Sequence, residues 1–196
     1  MGAEQANRPN RTIKLEREQD IVQRVAKGDR KATRALYGDT ICRMTSVCSR
    51  YVTDPDAVND VLQDSYMSIF TTINKFQYKG EGSLLAWMTR IVVHKSVDWV
   101  KREMRRGAVE LPGDIPEVID DDTADDCDLS ADTIHSIIRQ MPAGYRAVFN
   151  MYVLDGMSHK QIAAELGIAE NSSASQLARA KAWLKNEVKK YLSEKH

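Results

Sequence analysis

One stretch of this chain constrains its fold more than any other. Between positions 107 and 128 there are nine acids (Glu110, Asp114, Glu117, Asp120, Asp121, Asp122, Asp125, Asp126 and Asp128) and no Lys or Arg. Such a segment repels itself and has too little apolar surface to build a packed core. It reads as a flexible acidic linker, and it divides the 196 residues into a unit at 15–106 and a unit at 129–196. It also explains the zero net charge. Outside this segment the chain carries 28 basic residues against 19 acidic ones. A basic protein with an acidic insert points toward a nucleic-acid partner.

Both flanking units read as all-α. Only 7% of residues are aromatic, long alternating β-branched runs are absent, and Ala, Leu, Lys, Glu and Arg are common. Cys42, Cys48 and Cys127 form neither a CxxC pair nor a zinc spacing, so the expectation is no metal and reduced thiols in a cytoplasmic setting. No apolar run approaches the ~20 residues of a membrane span, so no membrane insertion is expected. Residues 1–14 are polar, lack a signal-peptide core and are expected to be disordered.

In the first unit, Ile21, Val22 and Val25 share a helical face that ends at Gly28. Asp29 is placed to cap the next helix, which carries Ala32, Leu36, Ile41, Met44, Val47 and Tyr51. Asp54-Pro55 opens a third, with Val58, Val61, Leu62, Ser65, Tyr66, Ile69, Phe70 and Ile73 in one stripe. Asp60, Gln63, Asp64 and Met67 form a polar stripe beside it, at helical spacing. After Gly80-Glu81-Gly82, Ser83 is expected to cap a long helix to Arg106 that buries Leu84, Trp87, Met88, Ile91, Val92, Trp99 and Val100. Its Arg90, Lys95, Lys101, Arg102, Arg105 and Arg106 stand against only Asp98 and Glu103, a balance that suits a helix lying along phosphates.

In the second unit, Ile134, Ile137, Ile138 and Met141 mark a short helix. Pro142 starts another, with Tyr145, Val148, Phe149, Tyr152 and Val153 expected inward. Residues 158–177 then carry a helix-turn-helix pattern. Ser158 caps, Ile162 and Leu166 point inward, Ala163 is small at the crossing, and Gly167 turns. The second helix would present Ser172, Ala174, Ser175, Gln176 and Arg179 toward a major groove, where Gln can read adenine and Arg can read guanine or grip phosphate.

The segment MPAGYRAVFNMYVLDGMSHKQIA (141–163) resembles region 4 of the extracytoplasmic-function sigma factors of the sigma-70 family. DVLQDSYMSIF (60–70) resembles their region 2.2. Phe76, GEGSL (80–84), Trp87 and RIVVHKSVD (90–98) resemble regions 2.3 and 2.4. Two different modules in the family's order around a linker are far more specific than one helix-turn-helix. The resemblance implies a bacterial, cytoplasmic transcription factor without cofactor or enzymatic activity. It would bind core RNA polymerase through the β′ clamp helices and the β flap, recognise −35 and −10 promoter elements, and promote DNA melting. It also implies an anti-sigma factor as a partner. On this reading Asp60, Leu62, Gln63, Asp64 and Met67 meet polymerase. Phe76, Trp87, Arg90, His94, Lys95, Lys101 and Arg105 meet the −10 element, and Ser172, Ser173, Ser175, Gln176 and Arg179 the −35 element. Two positions depart from the family pattern. ENSSA (170–174) replaces a more usual Glu-Gly-Thr opening followed by a basic residue, and His94 stands where Asn is common.

The competing reading is a stand-alone regulator that uses the same helix-turn-helix, with the first unit as a sensor or dimerisation module. It differs in requiring tight, specific DNA binding without polymerase. No Ser/His/Asp constellation, phosphate loop or HExxH motif supports an enzyme.

Overall fold

The computed structural model describes residues 15–106 and 130–194, and among them there is no β-strand. The first module contains α1 (Leu15–Ala26), α2 (Arg30–Cys48), α3 (Pro55–Thr72), a 3₁₀ turn (Ile73–Lys75) and α4 (Ser83–Arg105). The second contains α5 (Ala131–Gln140), α6 (Ala143–Phe149), a π-type turn (Asn150–Leu154), α7 (His159–Leu166) and α8 (Glu170–Ser193). The expectations for 1–14, the acidic segment and Cys127 lie outside the described residues.

Local chemistry accounts for several helix ends. The Asp29 carboxylate accepts from the amides of Lys31 at 2.8 Å and Ala32 at 3.2 Å and so starts α2. Those amide bonds, that of Ala32 foremost, together with the Arg24 guanidinium hold its carboxyl below the usual range. Asp54 caps α3 with Pro55 in the first turn. The start of α4 differs from expectation. Ser83 does not cap it; its hydroxyl accepts from the Lys79 amide at 3.2 Å. The cap comes from Glu18 on α1. Its carboxylate accepts from the amide of Gly82 at 2.8 Å and that of Leu84 at 3.4 Å, while the side chain is only 2% exposed. A buried anion at a helix N-terminus satisfies donors that would otherwise be orphaned and complements the helix dipole.

The first core is built from Leu36, Met44, Ile69, Ile73, Leu84 and Met88, all fully enclosed. Each such side chain contributes roughly 1.5–3 kcal/mol through burial. Its polar members are satisfied: Ser65 and Ser96 donate to carbonyls one turn back, and the Thr40 and Tyr66 hydroxyls lie 2.8 Å apart. Ile91, Trp87 and Trp99, expected inside, are half-buried at its margin.

The second module also departs from the sequence reading just after Phe149. Tyr152 and Val153 were expected inward but are 40% and 49% exposed. The reason is the widened turn at Asn150–Leu154, where the Asp155 amide donates five residues back to the Asn150 carbonyl at 3.0 Å. An extra residue in a turn rotates the following side chains away from the face that α-helical spacing assigns to them.

The two modules pack on each other. Tyr51 and Val52, in the turn after α2, belong to one continuous apolar core with Met141, Tyr145, Val148 and Met151. Arg146, 4% exposed, donates to the carbonyls of Arg139, Met141 and Tyr51. Burial, and the nearby Arg139 charge, push its guanidinium down to about 10, so it remains a cation near neutral pH. No helix among the described residues is long and apolar enough to cross a membrane.

Candidate polymerase and nucleic-acid interfaces

The polar stripe of α3 forms as its spacing predicts. Asp60, Gln63, Asp64 and Met67 are all exposed, Met67 by 60%. Leu62 departs from the expectation of a free contact residue: it is 6% exposed and forms part of the floor of a groove of about 520 Å³. Gln63, Met67 and Phe70 of α3 and Tyr37 and Ile41 of α2 border that groove. Its aromatic content is what the sequence reading missed. Tyr37 is 44% exposed, its ring lies 4.7 Å from Tyr66, and Tyr66 lies 5.7 Å from Phe70. Tyr37 directly follows the buried Leu36, so its position off the core face of α2 was the available signal.

Asp60 and Asp64 face the other way, toward α4. With Gln63 they border a groove shared with Trp99, Arg102 and Arg106, and Asp64 also borders one lined by Lys95, Lys101 and Arg105. Among the described residues, neither Asp60 nor Asp64 forms an ion pair; Lys101 instead reaches Asp98 and Arg106 reaches Glu103. Exposed pairs of that kind contribute little, about 0–1 kcal/mol. The structure thus sets part of the candidate polymerase set against part of the candidate −10 set.

The remaining −10 candidates fall along the first half of α4 and the loop before it. Phe76 and Trp87 are half-buried, with ring centroids 5.5 Å apart and planes at 54°. Arg90 is exposed, and one turn later the His94 ring is half-exposed. His94 Nδ1 lies 2.8 Å from Glu165 Oε1, on α7 of the other module.

The helix-turn-helix is built as its sequence suggests. Ser158 and Gln161 form a reciprocal capping box, Gly167 turns at φ 70°, and Ile162, Ala163, Leu166, Leu177 and Ala180 close the seam. Ser172, Ser175 and Arg179 are exposed on α8. Gln176 is half-buried, with its amide oxygen turned inward and without a partner among the described residues. Ser173 corrects the expectation. It is fully buried, and its hydroxyl lies 3.0 Å from His159 Nδ1, so it ties α8 to α7 instead of facing outward. The neighbouring Tyr152 ring stacks on His159, with centroids 4.8 Å apart.

Two family models match this chain. Sigma-70 region 2 covers residues 36–106, and sigma-70 region 4 covers 131–184. Among curated proteins, the chain is similar to the ECF RNA polymerase sigma-E factors of Salmonella typhimurium and Escherichia coli, each 26% identical over 182 residues, covering 87% of this chain and 94% of the relative. The sigma-E factor of Haemophilus influenzae is 25% identical, with 87% and 95% covered. A solved structure described as CnrH in complex with the cytosolic domain of CnrY is 19% identical, covers 87% of this chain and 96% of that one, and has a TM-score of 0.43. With both sigma modules matched in order on an all-helical fold, the chain belongs to the sigma-70 family, in its extracytoplasmic-function group, and is an RNA polymerase sigma factor for transcription initiation, not an enzyme.

Proposed function

We propose that this sigma factor, acting in the bacterial cytoplasm, docks core polymerase through α3, reads the −10 element with α4 and its preceding loop, and reads the −35 element with α8. The observation that carries the reading is the exposed stripe of Asp60, Gln63, Asp64 and Met67, continuous with an aromatic groove at Tyr37 and Phe70. A polar stripe next to exposed aromatic and Met side chains is the composition expected of a protein-binding face. The acids would meet Arg side chains of the β′ clamp helices, while Met67 and the groove supply apolar contact.

On α4, Arg90, Lys95, Lys101 and Arg105 would follow phosphates. Melting involves no covalent chemistry; Phe76, Trp87 and His94 would offer stacking and polar partners to an unstacked base. On α8, Ser172, Ser175 and Arg179 would contact the major groove, with Gln176 joining if its amide rotates outward. The second module would also meet the β flap. By family resemblance an anti-sigma factor restrains the protein.

Run-off transcription with purified core polymerase tests this directly. Initiation that requires the chain and depends on both elements supports the reading. Nanomolar, sequence-specific gel shifts without polymerase, and no stimulation of core enzyme, would favour the stand-alone regulator instead.

A further inference from the structure

Between the turn after α2 and helix α5 lies a cleft of about 760 Å³ that the polymerase and promoter faces do not use. Ser49 and Arg50, in that turn, line one side, and His135, Ser136 and Arg139 of α5 line the other. The three α5 residues are three and four positions apart, so they share one helical face, while Ile137 between them is buried in the core. Asn150 lines the cleft from the second module and is fully enclosed. Its amide donates to the Arg50 carbonyl at 2.7 Å, which fixes the turn that carries Arg50.

Charge and hydrogen bonding in the cleft are unbalanced. Among the described residues, neither Arg50 nor Arg139 forms an ion pair. Asp132 is the one carboxylate on the border. A third guanidinium, that of Arg146, is buried behind the α5 wall; it donates to the carbonyls of Arg139, Met141 and Tyr51 and to no carboxylate. Cations gathered in this way repel one another and attract an anion. Asn150 Oδ1 is buried and without a donor among the described residues. An acceptor left so is costly, and the missing donor is one that an occupant of the cleft can bring.

We propose that this cleft binds a small di- or polyphosphate, with Arg50 and Arg139 gripping its phosphate oxygens. Each guanidinium presents a planar fork of donors that matches phosphate bidentately. His135, Ser49 and Ser136 add donors for the remaining oxygens. Two guanidiniums and these side chains offer more donors than a single phosphate can accept. The volume lies in the range of small-molecule sites, about 300–1,000 Å³, and leaves room for an organic part whose hydroxyl meets Asn150. A nucleic-acid strand fits less well, since its phosphates recur along a track and the basic track on this molecule is α4. No lining residue belongs to the proposed polymerase or promoter faces, so the site stands independently of that reading.

Isothermal titration calorimetry on the full-length chain tests this, with inorganic pyrophosphate and ATP as probes and no divalent cation added. One-to-one binding of at least one probe is expected. Arg139→Ala and Arg50→Ala should each weaken it at least about tenfold, because each removes charge-assisted bonds. Arg34→Ala takes the same charge from an exposed position on α2 outside the cleft and should leave affinity within about twofold. At about a hundredfold excess over Kd, the bound probe should raise Tm by about 5–10 °C. Circular dichroism checks that the three variants keep their helicity. No binding of either probe, or binding that all three variants change equally, overturns the site. Tighter binding of a single strand of about ten nucleotides without terminal phosphates, lost in Arg139→Ala and Arg50→Ala, overturns it in favour of a nucleic-acid contact.

Discussion

Replacing Glu18 with Ala tests how α4, and with it the proposed −10 surface, is held. The Glu18 carboxylate is the only side chain that caps this helix among the described residues, through the amides of Gly82 and Leu84, and it is 2% exposed. Loss of an N-cap costs about 0.5–2 kcal/mol, and hydrogen bonds to a charged group contribute about 1.5–3 kcal/mol net. These figures describe overlapping effects, so the expected loss for Glu18→Ala is about 2–3 kcal/mol. For a chain of this size that lowers Tm by about 5–10 °C. Glu18→Gln keeps one acceptor oxygen and loses mainly the charge–dipole part, about 1 kcal/mol. Urea melts followed by circular dichroism give the free energies, and hydrogen exchange at Gly82 and Leu84 locates the change. A loss below about 0.5 kcal/mol for Glu18→Ala, with both amides still protected, would refute the capping argument. So would equal destabilisation by Ala and Gln.

Three further outcomes follow from the surfaces. Asp60→Lys with Asp64→Lys should change stability by no more than about 0.5 kcal/mol, since both are exposed; it should sharply weaken association with core polymerase, and unchanged co-purification would exclude this face. Arg179→Ala should reduce initiation at −35-dependent promoters, by roughly 1–3 kcal/mol if it makes a bidentate base contact, whereas Ser173→Ala should instead lower thermal stability by releasing His159; matched promoter assays and melts separate the two. His94→Asn should shift the preferred −10 base at unchanged stability, because Asn and neutral imidazole present different donor–acceptor patterns. Identical preferences on a template library randomised across the −10 element would place His94 outside base reading.

The sequence by itself determined the all-helical class and those caps and turns whose partners lie within a few residues. Asp29, Asp54, Ser158 and Gly167 act on amides or backbone angles at most three positions away, so spacing alone exposes them. The exposed α3 stripe was legible for the same reason, since helical periodicity assigns faces wherever a helix is regular. Tyr152 and Val153 were misassigned where that regularity fails, at the widened turn after Phe149. Only the tertiary structure decided the rest. Glu18 caps a helix 64 residues away, and Arg146 and Asn150 reach carbonyls 95 and 100 residues back. Ser173 is inside because α7 crosses it, with His159 placed to bond it. A polar side chain looks the same in sequence whether it faces water or a distant backbone group. What separates the two cases is burial, where an unpaired donor or acceptor is costly and must be met by whatever the fold brings beside it.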